Sequence, residues 1–283
     1  MANLNNDVTL TGKVVEIKSR KGVDSKNSEY VAGQVLLETA PDNIISIDFY
    51  QNKLKKSDNK ENSAYKGIMT MIDEFRTIAK DGREAADIVS LSQGTLAENF
   101  FYNNNDALVR TFRINGAFFN RKANAPLENK FVLSGIVARV NDEIIKDVPT
   151  GRLFVELLAI GYQNKGDLIK LIAEDPAGVQ YLKNSCNEGV EVKFAGEIIV
   201  SEIHQEFREE VAFGDPIVRV ETKTERKLLI KSASAPTTPT VDSETIQSIL
   251  AERQGRIAQA LDKHKAKAAT TNTTAKTGAK FVI

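Results

Sequence analysis

The 283-residue chain has one cysteine, no tryptophan, three methionines and two histidines. A lone cysteine, Cys186, excludes an intramolecular disulfide framework and suits a reducing cytoplasm. With only His204 and His264 beside it, a Cys/His zinc site cannot be assembled. No apolar run reaches the ~18 residues of a membrane helix. The opening Met1-Ala2-Asn3-Leu4-Asn5-Asn6-Asp7 has neither the basic nor the apolar stretch of a secretory signal. Enzyme signatures are also missing: no Gly-x-x-x-x-Gly-Lys-Ser/Thr loop, no dinucleotide fingerprint and no Gly-x-Ser-x-Gly elbow. The acidic residues lack the repeated Asp-x-Asp spacing of a metal loop. His204 lies in an acidic stretch and reads as an exposed loop residue, not a base. A cytoplasmic, non-enzymatic protein without a cofactor is therefore expected.

An excess of either charge is absent too, since 38 Lys+Arg balance 38 Asp+Glu. The distribution is uneven. Residues 1–125 carry 17 basic against 16 acidic, residues 126–240 carry 14 against 18, and residues 241–283 carry 7 against 4. If one module grips a polyanion, it should be the first.

What is present reads as strands. Val8-Thr9-Leu10-Thr11-Gly12-Lys13-Val14-Val15-Glu16-Ile17 is β-branched and partly alternating. The runs at 31–38 and 44–50 follow, and Pro41-Asp42-Asn43 between them makes a hairpin turn. Helix spacing of Ile68, Met71, Ile72, Phe75 and Ile78 predicts a helix from Ser63, a candidate cap, to Ala79. Strands at about 87–102 and 107–121 come next, joined by Asn103-Asn104-Asn105-Asp106.

The second half repeats this order. Phe131-Val132-Leu133-Ser134-Gly135-Ile136-Val137-Ala138 lies over the first strand with the glycines in register. Strands at 152–158 and 167–172, a helix at 176–184 and strands at 190–200 and 217–230 complete it. Five strands with a helix after the third is the order of the OB fold, whose strands 2–3 and two loops face the ligand. The expectation is mainly β: two tandem OB-like five-stranded barrels, 1–125 and 126–231, followed by a tail, 232–283. Two unrelated small β domains, or one larger sandwich, are the alternatives.

Single-strand binders combine a positive groove with aromatic platforms, because every base has a π-face and every nucleotide a charge. The first module offers Lys18, Arg20, Lys21 and Lys26, then Tyr30. If Ile45, Ile47 and Phe49 face the barrel, Tyr50 points outward ahead of Lys53. Tyr102 opens the loop between the last two strands, and Arg110 and Arg113 lie across it. The bland reading is that Phe49, Phe100 and Phe112 are core and the lysines a solvated loop. In the second module Tyr162, Gln163, Asn164 and Lys165 occupy a turn, but the acidic run from Glu202 to Asp215 would repel phosphate.

The tail starts with the small-residue linker Ser232–Thr240, which holds too little apolar material to dock. Ile246, Ile249, Leu250, Ile257 and Leu261 then recur at helical spacing, interrupted by Gly255, before a basic, disordered end. Residues 232–283 are expected to be dispensable for folding. The stripe would fold on a partner or another copy, or the lysines would trail along a bound strand.

With this order of elements, the chain resembles bacteriophage-type single-stranded DNA-binding proteins built from OB folds, over roughly residues 5–231. The resemblance implies sequence-tolerant coating of exposed DNA during replication or recombination, and a tail that recruits replication or recombination proteins or supports self-association. It places the stacking and basic roles on Tyr30, Tyr50, Tyr102, Lys18, Arg20, Lys21, Arg110 and Arg113. Members often end in an acidic tip; this chain ends Lys280-Phe281-Val282-Ile283. The rival reading is a structural or adaptor protein, such as a phage assembly component, whose barrels contact other proteins.

Overall fold

The computed structural model describes residues 4–275 except 26, 56, 58, 104, 146, 162–164 and 210–216; its side-chain description further excludes 202–209, 217, 219–223 and 267–275. Strand alternation sets the first elements. In β3 (Asn43–Asn52), Ile45, Ile47 and Phe49 are buried while Tyr50 is exposed, the period of two that a half-buried strand requires. Two residues, Pro41 and Asp42, join it to β2 (Glu29–Ala40), with Asp42 at a φ of 61°. β2 in turn pairs antiparallel with β1 (Asn6–Val23).

Helix α1 (Ser63–Glu74) buries Ala64, Ile68 and Met71. Its cap is Asn62, whose side chain accepts from the Ala64 amide at 3.1 Å, one residue ahead of the expected Ser63. It also stops short of Ala79. The Asp81 carboxylate takes the Thr77 amide and the Thr77 hydroxyl takes the Lys80 amide, diverting donors that a continuous helix would use. A separate turn, α2 (Ile78–Asp81), results.

β4 (Ile88–Tyr102) follows, and the expected strand at 107–121 is two: β5 (Leu108–Asn115) and β6 (Phe118–Arg121). Both run antiparallel to β4 in one register, interrupted where the Gly116 amide donates instead to the Asp48 carbonyl of β3 at 3.0 Å. β3 and β5 pair in parallel, Asp48 opposite Asn115, and β4 returns to β1. β1–β2–β3–β5–β4–β1 is thus a closed circuit of pairings, the first ring.

A second circuit repeats it. β7 (Glu128–Ile145) pairs β8 (Val148–Ile160), and β8 pairs β9 (Gly166–Ala173). After α3 (Pro176–Ser185), β10 (Glu191–Glu209) pairs both β7 and β11 (Ile217–Ala233). β11 meets β9 in parallel at Leu229 and Ile172 only, so closure is partial. β1 and β7 also pair, Val8 opposite Phe131, so all eleven strands form one sheet. The core runs on through both rings, from Val14, Ile47 and Ile114 to Leu133, Leu157 and Phe194.

The tail departs from the expectation. Thr237 and Glu191 exchange backbone hydrogen bonds of 2.9 Å in each direction, so the linker is tied to β10. α4 (Ser243–Ala275) follows, its first turn bonded by Asp242, which accepts from the Thr245 amide at 2.8 Å. These bonds hold the Asp242 carboxyl below its usual range. Ile249 is buried against Ile136 and Leu158, with Ile246 and Leu250 partly buried beside it. Gly166 makes room for it: a Cβ there would come 2.1 Å from the Ile249 side chain. The stripe expected to wait for a partner finds its groove on the chain itself. Ile257 and Leu261 are half-buried, and the helix runs on through Gly255 and residues 263–275 of the basic end expected to be disordered; 276–283 lie outside the described residues.

Candidate nucleic-acid interface

The outward face of the first ring is built by strand register. Arg20 of β1 lies opposite Ala32 of β2, which lies opposite Tyr50 of β3. One row along, Lys18, Gln34, Asp48, Asn115 and Thr95 follow one another across all five strands. In the next row, Gly22 faces Tyr30 and Tyr30 faces Asn52. Tyr30 and Tyr50 stack diagonally across β2 and β3 with ring centroids 5.1 Å apart and planes 25° apart. The Tyr50 hydroxyl donates to Asn52 Oδ1 at 3.1 Å, and the residue is 50% exposed. Gly22 lets the Tyr30 ring lie flat, since a Cβ there would sit 2.7 Å from its hydroxyl.

Tyr50 is a ridge between two open grooves. One is lined by Lys18, Arg20, Gln34 and Asp48; the other, about 420 Å³, by Gln93, Thr95, Arg113, Asn115 and the exposed Phe118. Gln34 donates to Asp48 at 2.9 Å, which engages part of that carboxylate. Arg20, Lys21 and Arg113 are exposed and have no carboxylate partner among the described residues. This face can present stacking surface and positive charge together.

Other sequence candidates are placed differently. Lys18 pairs with Glu16 at 3.1 Å and Lys53 with Glu29 at 2.9 Å, and the latter hydrogen bond and charge raise the Lys53 pKa. Arg110 is not offered to a ligand: it bonds Glu98 at 2.9 Å and Glu156 of β8 at 2.8 Å, bridging the rings. Tyr102 lies against the tail, its ring centroid 5.8 Å from that of His264, which contacts Asp106 at 2.9 Å. The helix thus touches the β4–β5 turn at Tyr102 and Asp106, although the Asp106 side chain stays 82% exposed. Lys26 and Tyr162 lie outside the described residues, as does the His204 side chain.

Sequence reasoning missed Glu98 and Arg253. Glu98 points inward from β4 with its side chain 1% exposed, and Arg253 of α4 meets both its oxygens at 2.6 Å. Burial would raise the Glu98 carboxyl, but the hydrogen bonds and charges of Arg253 and Arg110 outweigh it and hold it below the usual range. A signal existed: Arg253 falls within the stripe of Ile246, Ile249, Leu250 and Ile257, and a cation there requires a buried carboxylate. Around this cluster the second ring turns the outward face of β8 and β9 towards the first, with Glu156, Leu168 and Lys170 across a cleft from Arg110 and Phe112.

The chain belongs to the YorF family, whose model matches residues 5–265. No curated protein matches the sequence. Among solved structures, the chain is similar to the wild-type single-stranded DNA binding protein from Thermus aquaticus. Identity is 10%, the TM-score is 0.48, and the match covers 86% of this chain and 98% of that one. A deletion mutant of the same protein gives 10% identity and a TM-score of 0.46, covering 86% of this chain and all of that one.

Proposed function

We propose that the chain is a single-stranded DNA-binding protein that coats exposed strands with little sequence preference. The two circuits are read as tandem OB-type barrels, 1–125 and 126–231, with 232–283 as a tail that clasps them. The observation that carries the reading is the stacked Tyr30–Tyr50 pair on β2 and β3, flanked by grooves holding Arg20 and Arg113. Strands 2 and 3 are where an OB barrel takes its ligand, and an exposed aromatic ring accepts any base. Replication or recombination, of a phage in its host's cytoplasm, is the setting such coating serves. The test is a titration of labelled oligo(dT) against duplex of equal length at two salt concentrations. Tighter binding of the single strand, weakening with salt, is expected; equal affinity, or none at low salt, overturns the reading.

One observation favours an adaptor role instead. Ile144, Ile145 and Val148 are 50–63% exposed at the tip of the β7–β8 hairpin, where the first ring's β1–β2 hairpin carries Arg20 and Lys21. An Ile145→Ser variant that loses a protein partner, in a chain that binds no oligo(dT), would establish that reading.

A further inference from the structure

Three grooves meet end to end on this molecule. The groove with Lys18 and Arg20 shares Asp48, Phe49 and Tyr50 with the groove holding Arg113. That second groove shares Thr95 and Asn115 with a larger cleft between the rings, about 710 Å³. The cleft is walled by the start of β1 and, from the second ring, by Ala159, Gly161, Lys165 and Asp167 at the facing ends of β8 and β9. Thr95 and Asn115 are therefore the junction between the first ring's face and the inter-ring space.

The junction and the cleft are chemically suited to a nucleotide chain. The Asn115 carboxamide has no hydrogen-bond partner among the described residues, whereas that of Asn6 is spent on both backbone groups of Leu96 at 2.8 Å. Of the two carboxylates in the cleft, Asp167 is paired with Arg256 at 3.0 Å and Asp7 accepts from Asn5 at 3.2 Å. Lys165 is exposed with no carboxylate partner among the described residues. Lys165 thus faces this space without an ion-pair partner among the described residues and the Asp167 charge is offset by Arg256 of the tail helix, while Asp7 at the far wall keeps its charge.

We infer that a strand held on the Tyr50 platform continues past Thr95 and Asn115 into the inter-ring cleft, where Asn115 contacts a base edge and Lys165 a phosphate. This rests on the function proposed above. Crossing five strands spaced ~4.8 Å apart covers roughly 19 Å, at most about six nucleotides at ~3.4 Å each. A longer strand must leave the first ring, and the shared lining gives it a way out.

The test compares oligo(dT) of about 6 and about 16 nucleotides on the wild type and on Lys165→Glu, each over a salt series, with Tyr50→Ala as reference. Reversing Lys165 is expected to weaken the longer oligomer on the order of tenfold and to reduce its log–log salt slope by about 0.7, one phosphate contact. The shorter oligomer should be unaffected by Lys165→Glu, and Tyr50→Ala should weaken both. If Lys165→Glu leaves the longer oligomer's affinity and slope at wild-type values while Tyr50→Ala weakens both, the path through the cleft is wrong and the first-ring site stands. If the wild type binds neither oligomer, both proposals fall.

Discussion

Replacing Arg253 with alanine removes both hydrogen bonds that tie the tail helix to Glu98. The arginine side chain is 4% exposed and the carboxylate 1%, so water does not readily take its place. Removing one partner of a buried pair costs ~3–5 kcal/mol. Glu98 retains Arg110 at 2.9 Å and the Leu168 amide at 3.3 Å, which places the loss near ~3 kcal/mol, the lower end of that range. For a chain of this size that is a fall in Tm of roughly 6–12 °C. Urea titration and calorimetry would measure it, and limited trypsin digestion would show α4 released before the rings unfold. Glu98→Leu with Arg253→Met should recover much of the loss, because an apolar pair carries no desolvation cost. Ending the chain at Lys231 should also destabilise it, correcting the expectation that the tail is dispensable, since Ile136 and Leu158 lose their cover. If Arg253→Ala stays within about 0.5 kcal/mol of wild type, the ordinary range for a surface change, with an unchanged digest, the pair does not hold the helix.

Three further outcomes are expected. Tyr50→Ala should weaken oligo(dT) binding by ~1–3 kcal/mol, read by fluorescence titration, with little change in Tm because the ring is half exposed. Arg20→Ala and Arg113→Ala should each flatten the salt dependence by about 0.7 per lost phosphate contact, whereas Lys53→Ala, whose cation is already paired with Glu29, should change it less. The Glu98 carboxyl is depressed in the folded chain, so its stabilisation is present above the unfolded value of ~4.3 and is lost as pH falls through the folded one. Acid titration should therefore destabilise the wild type below about pH 4 more steeply than Glu98→Gln, and parallel curves for the two would count against the assignment.

Local signals carried much of the fold. Alternation put Tyr50 outside and Phe49 inside, and Pro41-Asp42-Asn43 gave the hairpin that seats the tyrosine pair beside Ala32. Repeated glycines marked β1 and β7 as equivalents. What local patterns could not carry was partnership at long range. Arg110 and Arg113 are three residues apart on one strand, so they lie on opposite faces, but nothing in the sequence says which face another strand covers. One is occupied by Glu98 and Glu156 while the other faces open solvent, because β8 lies beside only one of them. Tyr102 reads as a platform because it borders a turn, and nothing nearby announces that His264 lies against it. The tail stripe reads as a face for a partner or another copy, whereas Ile249 packs on the chain's own Ile136 and Leu158, because an amphipathic helix does not name its groove. The groove here depends on Gly166, whose missing side chain leaves no pattern at all.

Glu98 and Arg253 are 155 residues apart in the chain, and that interval has a meaning during synthesis. At ~5–20 residues per second, the ribosome needs roughly 8–30 s after Glu98 is made before its arginine exists. Arg110 arrives almost at once and the Leu168 amide 70 residues after Glu98, but the guanidinium that grips both carboxylate oxygens comes only with the tail. Glu98 is consequently without Arg253 throughout translation of the second ring. β1 waits in the same way for β7, whose residues pair with it about 120 positions later. The nascent first ring thus carries one unpaired strand edge and one incompletely paired carboxylate; β7 pairs the edge and joins the rings, and the final helix completes the partners of the carboxylate.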